Sequence, residues 1–127
     1  MSAGFDVNGE TFWGTNGAVE TYVELLSVCA SGKLGKEHPI SRFFKEERDG
    51  FFTGKVVFLD SLLKDSDNRS LLVTLLDDAT RQIREEGIFT AYGYEWIDTV
   101  VVNLRKQLAS TGVCGASKET GSKMIRK

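Results

Sequence analysis

The chain has 127 residues, of which 41% are hydrophobic and 27% charged, and its net charge is −2. That length suits one domain with its own core and no need of metal or disulfide staples, and the composition excludes general disorder. A near-neutral total gives no field that draws in nucleic acid or an anionic membrane. With no leader pattern and no apolar run of spanning length, the expectation is a soluble cytoplasmic protein.

The charge is unevenly spread. From Thr111 onward, Lys118, Lys123, Arg126 and Lys127 against Glu119 give +3, so residues 1–110 carry −5. This predicts an acidic folded body over 1–110 and a flexible basic tail over 111–127.

The first element is a β-hairpin over 4–13. Asn8-Gly9 in "FDVNGETFW" is the dipeptide that best tolerates the two φ > 0 positions of a type I′ turn. With that turn, Val7 faces Glu10 and Phe5 faces Phe12 on one side, while Asp6, Thr11 and Trp13 fall on the other. A hairpin alone is marginal in water, so one face must pack on something. The Phe5/Phe12 face is the simpler choice, which leaves Trp13 without a core explanation.

A helix follows over about 16–31, capped by Thr15 or Asn16 and ended by Gly32. Val19, Tyr22, Val23 and Leu26 supply its apolar stripe, with Cys29 and Ala30 at its end. Pro39 suits the first position of a second helix over 39–49, with Ile40, Phe43 and Phe44 inward. The next stretch reads two ways. Phe52, Val56, Leu59 and Leu63 keep helical spacing, which favours a helix over 54–64. "KVVFL" is also short, apolar and β-branched, so a strand over 55–59 is the alternative. A third long helix is expected over 68–86, with Leu72, Leu75, Leu76, Ala79 and Ile83 on one face, Gly87 closing it and Asp77–Arg81 as an i, i+4 pair. The last runs over 95–109, with Ile97, Val100, Val101, Leu104 and Leu108 inward.

These elements make a mostly α single domain, four to five packed helices with an N-terminal β-hairpin. If 55–59 is a strand, the class becomes α+β and the hairpin can pair with it.

Chemistry-bearing patterns are few. His38, the sole histidine, fits a cap for the helix starting at Pro39 better than a general base. Glu20 and Glu24 share a helix face but lack the Glu-x-x-His partners of a carboxylate-bridged metal site. Cys29 and Cys114 with one histidine cannot make a four-ligand zinc site without carboxylates. "GKLGKEH" has neither the length nor the ending of a phosphate-binding loop. No cofactor, metal or nucleic-acid partner is expected.

The aromatics remain. Phe89, Tyr92, Tyr94 and Trp96 crowd "IFTAYGYEW", and Trp13 lies on the unexplained hairpin face. Tyrosine and tryptophan combine apolar area with a polar tip and are enriched at binding hot spots. The expectation is a small non-catalytic protein-interaction module, regulatory or immunity-type. Its acidic body and its patch of Trp13, Phe89, Tyr92, Tyr94 and Trp96 would meet another protein, best a basic one, or a second copy of the chain. The alternative is a small-molecule binder or modest enzyme with a pocket lined by Trp13, Tyr92, Tyr94 and Trp96. A closed cavity with convergent groups such as Asp6, Glu20 or Glu24 would favour that alternative, and an open patch the first.

Overall fold

The computed structural model describes residues 2–111. The tail expected at 111–127 lies, beyond Thr111, outside the described residues.

The hairpin forms with the register its turn dictates. Strands β1 (Ser2–Val7) and β2 (Glu10–Thr15) pair antiparallel, with Val7 opposite Glu10 and Phe5 opposite Phe12. Asn8 and Gly9 both take positive φ, 54° and 85°. The turn is tied from two sides. Asp6 Oδ1 accepts from the Gly9 amide at 3.2 Å, Asp6 Oδ2 from the Thr11 hydroxyl at 2.8 Å, and Asp60 Oδ1 from the Asn8 amide at 2.9 Å.

Helix α1 (Asn16–Leu34) is capped by the Thr15 hydroxyl, which accepts from the Ala18 amide at 3.1 Å. It runs past Gly32, the expected stop, and ends at Gly35, whose φ of 90° no β-carbon residue adopts readily. Helix α2 (Pro39–Asp49) starts where proline predicts, and His38 Nδ1 accepts from the Ile40 amide at 3.2 Å as its cap.

The helix expected over 54–64 is not there. Those residues hold strand β3 (Val56–Phe58) and a run of turns. β3 lies parallel to β1, with Gly4 opposite Val56 and Asp6 opposite Phe58, giving a sheet of order β2-β1-β3. Parallel strands need a long crossover, and α1 and α2 supply it. The alternation that makes 56–58 a strand buries Val57 and Leu59 and exposes Phe58, whereas a helix would have buried Phe52, which is exposed. The α+β alternative therefore holds, in a protein that is mostly helical with a small three-stranded sheet.

Helix α3 (Ser66–Glu86) is capped by Asp65 and closed by Gly87 in the left-handed conformation. The last helical stretch begins earlier than expected. It runs as α4 (Ala91–Trp96), a π-helical turn (Ile97–Val101) and α5 (Val102–Thr111). Successive residues on a helix point about 100° apart, and α3 uses this to reach two neighbours. Asp77 faces α5, where Arg105 bonds it through Nε at 2.7 Å and Nη2 at 3.0 Å. Asp78 takes Lys33 of α1 at 3.0 Å. The Asp77–Arg81 pair read from spacing does not form; Arg81 bonds Asp78 at 3.1 Å instead.

The core lies between the sheet and the helices. Phe5, Val7, Phe12 and Val57 meet the stripes of α1, α3 and α5. Tyr22 is its centre. Its ring meets Phe5 and Trp96 edge-on, with centroids 6.3 and 5.7 Å away, and its hydroxyl donates to the Leu76 carbonyl at 2.9 Å and bonds the Thr80 hydroxyl. Burial pushes the Tyr22 phenol well above its ordinary range, so it stays protonated and serves as a core donor.

Candidate functional site

The aromatic residues singled out in the sequence fall into two sets. Trp13, Tyr92 and Trp96 line one hollow of about 430 Å³ between β2 and the α4–π stretch. Phe89 and Tyr94 stand away from it. Phe89 packs against Trp96 with centroids 6.3 Å apart and against Tyr94 at 6.2 Å, while the Tyr94 hydroxyl donates to the Ile83 carbonyl at 3.3 Å. They hold the connector onto α3 and back the hollow.

Trp13 and Trp96 have opposite roles within it. Trp96 is buried, and its Nε1 donates to the Trp13 carbonyl at 2.8 Å. That bond works because β2 is an edge strand. In a two-residue hairpin the Val7–Glu10 and Phe5–Phe12 pairs exchange backbone hydrogen bonds, so the Trp13 carbonyl points outward and takes its partner from a helix. Gly14 completes the seat: a Cβ there would lie 2.5 Å from Trp96 Nε1. Gly93 plays the same part for Phe89, where a Cβ would lie 2.7 Å from the ring. Two glycines thus let flat rings lie against the backbone.

Trp13 itself is 49% exposed and Tyr92 71% exposed. The hollow therefore has a fixed indole inside and two accessible rings at its margins. Glu95, Thr99 and Val100 also line it. Thr99 and Val100 belong to the π-turn, a wide helical turn found often at functional sites. The sequence reading missed these three as lining residues, because a π-turn has no sequence signature in the apolar period. A second hollow, of about 620 Å³, shares Trp13 and Val100 and continues along β2 past Thr11 to Lys106.

The far side of the sheet carries one more feature. Phe58 on β3 and Trp13 on β2 project on the same face at opposite edges, with Gly4 and Asp6 between them on β1. Asp6 is only 7% exposed, and both carboxylate oxygens are committed to the turn and Thr11. Cys29 is a half-buried free thiol beside Gln82, its pKa raised first by burial and then by Asp78. Among the described residues no group of three metal-binding side chains converges, and no helix is long and apolar enough to cross a membrane.

Compared with known proteins, the chain matches no family model, no curated protein and no solved structure.

Proposed function

We propose that the protein is a non-catalytic interaction module that uses the Trp13–Tyr92 groove to hold a lysine or arginine side chain of a basic protein partner. The observation that carries this reading is the pairing of two exposed rings, Trp13 and Tyr92, around a hollow whose inner ring, Trp96, is hydrogen-bonded in place. Exposed aromatic faces attract cations, worth about 0.5–1 kcal/mol per contact in water and more when the contact is desolvated. The Glu95 carboxylate lies at the same hollow, and residues 1–110 carry −5, which speeds encounter with a basic partner and sets its orientation. A regulatory or neutralising role, of immunity type, is the finer form of this reading.

Openness also weighs against the small-molecule alternative. The hollow is a groove rather than an enclosed cavity, and neither Asp6 nor Glu20 nor Glu24 lines it. The test is site-specific photocrosslinking in the native host, with a benzophenone amino acid replacing Tyr92. The expected result is capture of a basic protein, abolished by Trp13→Ala and retained in Phe52→Ala. Capture that ignores Trp13→Ala would sink the assignment, and so would native mass spectrometry showing a small molecule that leaves only in Trp13→Ala.

A further inference from the structure

Asn8-Gly9 does more than turn the hairpin, because asparagine before glycine is the pair most prone to spontaneous deamidation. The glycine backbone nitrogen gives up its proton and attacks the asparagine Cγ. The side-chain nitrogen takes up a proton and leaves as ammonia, and the new C–N bond closes a succinimide ring. Water then opens that ring at one carbonyl to give aspartate, or at the other to give isoaspartate, whose backbone runs through the side-chain carbon. Glycine favours the reaction because no Cβ hinders the attacking nitrogen.

The chain has two such pairs, Asn8-Gly9 and Asn16-Gly17, and residues flanking β3 hold both. Asn8 is exposed, and its amide N–H donates to Asp60 Oδ1 at 2.9 Å. Asn16, in the first turn of α1, accepts through its side-chain Oδ1 from the Gly54 amide at 3.0 Å.

At Asn8 the structure opposes the reaction twice. The φ values of 54° and 85° at Asn8 and Gly9 are those of a type I′ turn, which sets ψ at the first position to about +30°. The Asn8 Cβ then lies across the Cα–C bond from the Gly9 nitrogen, whereas ring closure needs the two on the same side. The turn must open before Cγ can meet that nitrogen. The nitrogen is also occupied, since the Gly9 N–H donates to Asp6 Oδ1 at 3.2 Å. Removing its proton would set an amide anion against a carboxylate, which like-charge repulsion disfavours. Asp6 is itself fixed by burial and by the Thr11 hydroxyl, which bonds its other oxygen at 2.8 Å.

The two products have different fates. Aspartate at position 8 leaves Asp-Gly, a pair that still suits a type I′ turn. Isoaspartate adds a carbon to the backbone, so the two-residue turn that sets the Val7–Glu10 and Phe5–Phe12 register is lost.

We propose that Asn8 is a modification site, a deamidation site kept shut by Asp6 and Asp60 and released when the hairpin turn opens. Isoaspartate formed there makes a transient opening of the β1–β2 turn permanent. The site is independent of the Trp13–Tyr92 groove and stands whatever that groove binds.

The experiment is incubation of the full chain in mildly alkaline buffer, with peptide mapping that separates aspartate from isoaspartate at each asparagine. Conversion at Asn8 should run at least about 10-fold slower in the folded chain than in the same chain unfolded in urea, as a reaction gated by opening must. Asp6→Ala should speed conversion in the folded chain about 10-fold, because bonds to a charged acceptor are lost. Asp6→Asn, which keeps an acceptor for the Gly9 N–H without the charge, should fall between the two. Asp60→Ala removes an exposed contact rather than core packing and should speed conversion several-fold. Asn16-Gly17 is the internal standard, and its rate in Asp60→Ala should match wild type. Equal rates in folded and unfolded chain would overturn the proposal, as would a wild-type Asn8 rate in Asp6→Ala or Asp60→Ala. Equal acceleration at Asn8 and Asn16 in Asp60→Ala would also overturn it, by showing general unfolding rather than release of a local clamp. The purified isoaspartate form should show shifted amide resonances throughout β1 and β2; an unchanged spectrum would overturn the loss of register.

Discussion

Two tryptophans of opposite exposure define the aromatic groove, and each makes its own prediction. Trp13 is half exposed, so Trp13→Ala should cost about 1 kcal/mol or less in urea unfolding while removing partner capture. Trp96 is buried and hydrogen-bonded, so Trp96→Phe should cost about 1–2 kcal/mol through the lost bond and the unpaired Trp13 carbonyl. Gly14→Ala places a Cβ where the Trp96 indole lies and should destabilise by about 1–3 kcal/mol, as overpacking does. A stable Gly14→Ala protein with unshifted tryptophan fluorescence would show that the indole does not rest there. At this scale much was legible. The turn Asn8-Gly9 fixes which residues share a hairpin face, and that singles out Trp13. Burial of Trp96 was not legible, because the close approach of Gly14, eighty-two positions away, is a tertiary fact.

Between elements, β3 and the π-turn are where local periodicity and structure part. Phe52, Val56, Leu59 and Leu63 keep helical spacing, yet only Leu59 and Leu63 are buried. What makes 56–58 a strand is its pairing with β1, a contact that no window of neighbouring residues displays. The π-turn is equally silent, since Ile97, Val101, Leu104 and Leu108 are buried and read as an ordinary helix stripe. A π-turn is in effect one residue inserted into an α-helix. Deleting Thr99 should therefore give a regular helix that keeps the core contacts of Trp96 and Leu104, with thermal stability equal to wild type or higher. It should also narrow the groove, and the expected readout is loss of crosslinking from position 92.

Across the whole molecule, carboxylates of α3 tie the helices together. Asp78 accepts from Lys33 on α1 and from Arg81 on its own helix. The Lys33 hydrogen bond, ahead of the other influences, holds its pKa below the ordinary value. A depressed carboxylate stabilises the fold above its unfolded pKa, about 3.9, and that contribution fades as pH falls through the lower folded value. Asp78→Asn should thus unfold more easily than wild type at pH 6, and the gap should close below about pH 4. A gap independent of pH would show that the ion pair contributes nothing. The acidic body should also make partner association salt-sensitive, with on-rates falling as ionic strength rises and off-rates little changed.

The parallel pairing of β1 with β3 also governs how the protein is made. The hairpin leaves the ribosome before β3, and the other edge of β1 waits for residues 56–58, roughly fifty positions later. At about 5–20 residues per second of synthesis, that edge stays open for some 3–10 s. Throughout that interval β1 offers unpaired backbone groups to any extended neighbour, including another nascent copy. A mostly helical protein thus carries a β-type hazard early in its life, and slow translation before Lys55 should raise aggregation of nascent chains more than slow translation after Leu63.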